Sequence, residues 1–149
     1  MKTTRSRGAF TLIEVLIVVV IMAILAATII PQFTDSTKDA KSSTVKFNLH
    51  TLRSQIQLYR TQHNGASPAA TLAELMASTD ASGATGSGAN YPYGPYLREI
   101  PVNPFSNSKS IKTITNDPAQ AGDVTGTGGW LYNTTTGGIW IDNSTYYSN

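Results

Sequence analysis

The feature that most constrains this chain is an apolar run of 21 residues, Phe10 to Ile30, interrupted by one ionisable side chain, Glu14. As a helix rising 1.5 Å per residue the run reaches about 31 Å, the thickness of a bilayer's hydrocarbon layer. Such a segment spans a membrane or packs among other apolar helices. A carboxylate at the centre of a bilayer costs on the order of 2.5–3.5 kcal/mol, so Glu14 needs a partner or a purpose. Its place near the start of the helix offers a modest one, since the dipole there favours an anion by about 0.3–1 kcal/mol.

The flanks give the span a direction. Lys2, Arg5 and Arg7 precede it, whereas Asp35, Lys38, Asp39 and Lys41 behind it balance, so the N-terminus is expected in the cytoplasm and the remainder outside. A conventional secretory signal would be cut behind its apolar core, near Ala23, Ala26 and Ala27. Against that, Glu14 interrupts the core, and the run continues past these alanines to Ile30. The basic leader, the small residues Gly8 and Ala9, and Phe10-Thr11-Leu12-Ile13-Glu14 opening the helix resemble the N-terminal signal of type IV pilins and type II secretion pseudopilins. The resemblance implies a bacterial inner-membrane protein cut by prepilin peptidase between Ala9 and Phe10, with the Gly8/Ala9 bond as second choice, and N-methylated on Phe10. It further implies that Glu14 pairs with the N-terminal ammonium of a neighbouring subunit during assembly. Pro31 stands 21 residues after Phe10, where the family carries a helix proline. Lacking an amide hydrogen and crowding the carbonyl four residues back, it is expected to kink the helix.

Beyond Pro31 the pattern becomes one-sided. Val45, Leu49, Leu52, Ile56 and Tyr59 recur at spacings of four, three, four and three, an apolar stripe on one helix face. The helix is therefore expected to run from about Phe10 to Gln62 and to break at His63-Asn64-Gly65. This divides the chain into a leader (1–9), a membrane or filament-core helix (10–31), its amphipathic continuation (32–64) and one small head (65–149). Neither His50 nor His63 has a second ligand at metal spacing, so surface or capping roles are expected.

Within the head, Thr71-Leu72-Ala73-Glu74 fits a capping box opening a short helix with Leu72, Leu75 and Met76 facing inward. Residues 78–90, rich in Gly, Ser and Ala, read as a flexible loop. They do not read as a phosphate loop, since no strand precedes the glycines and no Lys follows them. In 91–105, four prolines forbid a long helix, while Tyr91, Tyr93, Tyr96, Leu97, Ile100, Val102 and Phe105 supply anchors for packing. An aromatic sugar-binding surface would need convergent carboxylates, which are missing nearby. Ile111–Thr115 alternates as a short strand, 116–128 is turn-rich, and Gly129–Asn133 with Ile139–Asp142 form a β-hairpin. The segments Gly-Pro-Tyr-Leu…Ile-Pro-Val-Asn-Pro-Phe and Gly-Trp-Leu-Tyr-Asn…Thr-Gly-Gly-Ile-Trp resemble those of secretion-type pseudopilin heads.

Composition closes off other classes. There is no Cys, which excludes disulfides, thiolate zinc sites and a lipidated N-terminal Cys. Without Lys2, Arg5 and Arg7, eight basic side chains face nine acidic ones, a formal −1 that gives nucleic acid no basic face to grip. No cofactor is required. Proteins of the resembled family often bind Ca²⁺ in a loop near the final hairpin, where Asp117 and Asp123, with Asn116 and Asn143, are oxygen donors; their spacing matches no EF-hand loop, and ordinary turn roles are the preferred reading. Asn133-Thr-Thr and Asn143-Ser-Thr match a glycosylation triplet that a bacterial protein does not call for. No nucleophile, base and acid stand in a catalytic pattern, so no enzyme is expected.

The expected fold is α+β and pilin-like: a long N-terminal helix, a small antiparallel sheet packed on its outer half, and a loop-rich head. The resemblance implies a structural subunit of a type II secretion pseudopilus, with copies of itself, other pseudopilins, prepilin peptidase and the inner-membrane assembly platform as partners. A type IV pilus subunit is the first alternative. A membrane-anchored extracellular binding module or enzyme is the second.

Overall fold

The computed structural model describes residues 10–149, so the leader and the bonds at Gly8 and Ala9 lie outside the described residues. The first helix, α1, covers Leu12–Gln62 and runs through Pro31. The chain separates into two compact units, Met1–Ala40 and Lys41–Asn149, and the division falls inside α1. Val45, the first buried side chain, follows shortly after the boundary.

In the first unit the described side chains with an assigned burial are all exposed, from Phe10 at 87% and Leu12 at 84% to Phe33 at 70%. Its hydroxyls turn back onto the helix: Thr28 Oγ1 donates to Leu25 O (2.9 Å), Thr34 Oγ1 to Ile30 O (3.2 Å) and Thr37 Oγ1 to Phe33 O (2.8 Å). Each of these hydroxyls is thereby satisfied within the helix, as an apolar surrounding demands.

In the second unit α1 presents Val45, Leu49, Leu52, Ile56 and Tyr59 to the core, the stripe its spacing predicts. The helix ends where expected. Asn64 and Gly65 adopt positive φ (54° and 86°), and Gly65 N donates to Arg60 O at 2.7 Å. Two short strands, β1 (Ser78–Thr79) and β2 (Thr85–Gly86), pair antiparallel. A second sheet has the order β3 (Ile111–Thr113), β4 (Trp130–Tyr132), β5 (Ile139–Ile141). The β4–β5 hairpin is antiparallel with Trp130 opposite Ile141 and Tyr132 opposite Ile139. β3 lies parallel to β4, so the sheet is mixed. The turn-rich segment 114–129 between them supplies the crossover that a parallel pair requires.

Alternation along β4 and β5 splits the interior in two. Trp130, Tyr132, Ile139 and Ile141 join the α1 stripe with Leu72, Leu75 and Ile100; Leu131 and Trp140 point the other way, onto Ile114, Ala119 and Val124. All six strand residues are thus buried, because the 114–124 segment covers the face that would otherwise meet solvent.

Four sequence expectations are corrected. Thr71 does not cap a helix: Ala73–Met76 is a single 3₁₀ turn whose N-cap is Leu72 at φ 55°, with no side-chain cap, and Glu74 instead accepts from Ala69 N at 3.3 Å. Leu72 and Leu75 are buried but Met76 is 40% exposed, because a turn this short can turn only part of its apolar set inward. Residues 78–90 are not a structureless loop. Asp80 Oδ1 accepts from Ser82 N, Ser82 Oγ and Ala84 N, closing the β1–β2 turn, and the Tyr91 ring sits over Gly86, where any Cβ would collide with it. Of the 91–105 anchors, Ile100 is buried and Tyr96, Leu97 and Phe105 pack on the core, whereas Val102 is exposed. Of the surface and capping roles expected for His63, the surface one is corrected and the capping one holds: at 2% exposure, one ring nitrogen meets Tyr59 O (2.7 Å) and the other Thr79 Oγ1 (3.0 Å).

Candidate functional site

The site named by the sequence is the start of α1. With Leu12 as the first helical residue, Thr11 occupies the N-cap and Glu14 the third helical position, so Thr-Leu-Ile-Glu is a capping box. The geometry bears this out. Glu14 Oε2 accepts from Thr11 N at 2.8 Å and from Thr11 Oγ1 at 2.7 Å, and Glu14 N donates to Thr11 Oγ1 at 3.3 Å. The carboxylate therefore satisfies donors that a helix start leaves open, and both of its bonds fall on one oxygen. The T-x-x-E spacing is visible in the sequence, beside the helix-dipole and subunit-pairing roles that the sequence suggests for Glu14. Phe10 lies just outside this cap, 87% exposed.

Around the cap is the apolar helix. Among the described residues it is the one helix long and apolar enough to cross a membrane, and its window is wholly unburied within the chain. A surface of this kind is completed by lipid or by other helices, since contact with water costs about 25 cal/mol for each Å².

The head contains the other candidates. Asp123 accepts from Gln120 N (2.8 Å) and from Asn116 Nδ2 on both oxygens (3.1 and 2.9 Å), and these hydrogen bonds, the Gln120 amide first, hold its carboxyl below the usual range. Asn143 Oδ1 accepts from Thr145 N at 2.9 Å, a turn role. Asp117 is exposed. Among the described residues no three His, Cys, Asp or Glu side chains come together as a metal group. A Ca²⁺ ion needs a shell of inward-facing oxygen lone pairs, whereas Asp123 is already met by N–H hydrogens. The donor set therefore does not fit the ion.

The carboxylate that organises this part of the head is one the sequence did not single out. Asp142, 1% exposed, accepts through Oδ1 from Thr125 N (2.7 Å) and Gly126 N (2.9 Å), and through Oδ2 from Gly128 N (2.9 Å) and Thr125 Oγ1. Burial pushes its pKa up, but the Thr125, Gly126 and Gly128 hydrogen bonds outweigh burial and leave it below the usual carboxylate value. Nothing local in Ile141-Asp142-Asn143 announces a partner 14 to 17 residues away.

Asn133, read as part of a chance triplet, is buried and fully used. Its Nδ2 donates to Thr115 O and Asn116 O, and its Oδ1 accepts from Thr135 N and Thr136 N. It ties the hairpin loop to the crossover. Within 91–105, Tyr93 meets the edge of His63 at 5.3 Å and Tyr96 that of Tyr59 at 5.6 Å, so both rings are used in packing.

Comparison with known proteins covers both halves of the chain. Residues 4–30 match the prokaryotic N-terminal methylation motif, and residues 32–129 match the model of type II secretion system protein G. The chain is 31% identical to a type II secretion system core protein G of Klebsiella pneumoniae over 120 residues, 80% of this chain and 81% of that protein. It is 32% identical to the protein of that name from Pseudomonas aeruginosa over 103 residues, 69% and 71% of the two chains. With the one from Vibrio cholerae it shares 25% identity over 143 residues, 87% and 96%. No solved structure matches significantly.

Proposed function

The chain belongs to the type II secretion system protein G family, and from that premise we propose that prepilin peptidase cuts it between Ala9 and Phe10 and methylates Phe10 before it enters a pseudopilus. It is a membrane-anchored structural subunit, and its long helix is the part that assembles. The N-terminus faces the cytoplasm, as the three leader cations favour, and the head lies outside. Partners are further copies of the chain, other pseudopilins and the inner-membrane assembly platform.

The observation that carries this reading is the capped, wholly exposed apolar helix lying within the match to the methylation motif, residues 4–30. Extraction from the bilayer would bring its side chains into water unless neighbouring helices take the place of lipid. Glu14 fits both settings: bonded to Thr11 through Oε2 it starts the helix, and an incoming ammonium at the adjacent N-terminus would neutralise it where bare charge is costly. Pro31, within the first unit, lacks the amide hydrogen of a helical bond and would loosen the helix there, so that the span can adapt to lipid and then to neighbours.

Intact-mass measurement on chain produced together with prepilin peptidase and the secretion assembly platform tests the proposal. The expected product lacks residues 1–9, carries one added methyl and forms filaments. Retention of Met1 without self-association would overturn it, and filaments formed only with a pilus platform would assign the chain to the pilus class instead.

A further inference from the structure

The loop that covers Leu131 and Trp140 runs from 114 to 129, and its two halves are closed in the same way. In the first half Asp123 draws in Gln120 N and the Asn116 amide; in the second, Asp142 draws in three backbone N–H groups and one hydroxyl from residues 125–128. Successive backbone N–H groups converging on one point form a nest, a geometry that selects an anion. Here the chain supplies its own anion from the end of β5. The fit is close: a Cβ at position 128 would stand 2.4 Å from Asp142 Oδ2, so any larger residue there would displace the carboxylate from its donors.

We propose that the 114–129 loop is closed by these carboxylate cages in place of a bound cation, so that the head of this chain is calcium-independent although its family resemblance implied a Ca²⁺ loop. The argument is one of polarity. A cation site turns lone pairs inward, and every backbone group from 125 to 128 that reaches Asp142 turns a hydrogen inward. A divalent ion seated on Asp142 would face those N–H dipoles and would have to break four hydrogen bonds to gain two oxygens. The same holds on a smaller scale at Asp123. The loop is then a permanent part of the head, with Ile114, Ala119 and Val124 held over the outer face of the sheet whatever the ion content of the surroundings.

Thermal unfolding of the full chain in detergent micelles, followed by the fluorescence of Trp130 and Trp140, tests this in millimolar CaCl₂ and in excess EGTA. The two midpoints are expected to coincide within about 1 °C, since an ion that binds only the folded state would raise the midpoint through linkage. Asp142→Asn, which keeps the shape but places an amide among N–H donors, is expected to lower the midpoint by about 10 °C in either buffer. Thr125→Val, which removes one donor and leaves the carboxylate, should lower it by a smaller amount, equally in both. A calcium-dependent rise in the wild-type midpoint that disappears in Asp117→Asn or Asp123→Asn would overturn the proposal. So would an Asp142→Asn variant that melts like wild type. Both readouts concern the head alone and are independent of whether the chain enters a pseudopilus.

Discussion

The two halves of α1 share one helical geometry and differ in what completes them. From Leu12 to Ile30 apolar side chains surround the helix and none is buried by its own chain; from Val45 to Tyr59 the five residues of one stripe are buried, and Phe47 and Leu58, which lie off it, stay exposed. An all-round apolar surface has no inside to face and depends on lipid or on other helices, whereas a one-sided stripe is satisfied by its own head. The first half is therefore a device for association and the second a device for folding.

Separating these two dependences is the sharpest test of the contrast, and Glu14→Ala has the largest expected effect. Filament formation should be lost, while the head melts at the wild-type temperature and the helix start loses about 1 kcal/mol of capping. Normal filaments from Glu14→Ala would break the contrast at its root. Leu52→Ala works on the other half. Leu52 is fully buried, so the head should lose about 3 kcal/mol, seen as a lower denaturation midpoint, with membrane insertion and leader removal unchanged. An insertion defect in this variant would show that the halves are not independent.

Acid gives a smaller effect confined to the head. Asp80, Asp123 and Asp142 all have folded-state pKa values held below the ordinary one: Asp80 chiefly by its Ser82 side-chain bond, Asp123 by the Gln120 amide, and Asp142 by its cage acting against burial. A carboxylate with a depressed folded pKa contributes stability that is complete above the unfolded value of about 3.9 and lost as pH falls through the folded one. The melting temperature should thus be flat from neutral pH to about pH 5 and fall below about pH 4, with Asp142→Asn showing a shallower fall. At the low end, Met76→Ser should change head stability by less than about 0.5 kcal/mol, since Met76 lies on the surface. A large loss there would contradict the surface placement of Met76 in the head.

Legibility in the sequence followed the range of the interaction. The α1 stripe, the Asn64-Gly65 stop and the β4–β5 hairpin could be read because each rests on residues a few positions apart. The Thr11–Glu14 box was equally local and went unread, hidden by a stronger explanation for the same glutamate. Order in 78–90 could not be read, because it depends on the Tyr91 ring closing over Gly86 and on Asp80 gathering the amides of its own turn. A Gly- and Ser-rich composition records the absence of large side chains and says nothing of a neighbour that fills their place.

The amino-acid order alone determined the membrane-length helix, the place of its polar cap, the change from all-round to one-sided apolarity and the strands that pair across a short turn. These follow from fixed helix and strand periods and from the cost of placing charge or apolar surface in the wrong medium. The fold in three dimensions decided that β3 runs parallel to β4, that His63 lies inside, that Met76 lies outside, and that Asp142 joins Asp123 in closing the last loop. Those outcomes depend on which distant groups arrive at the same place, and hydrogen-bond donors 14 to 17 residues away leave no periodic trace beside the carboxylate they surround.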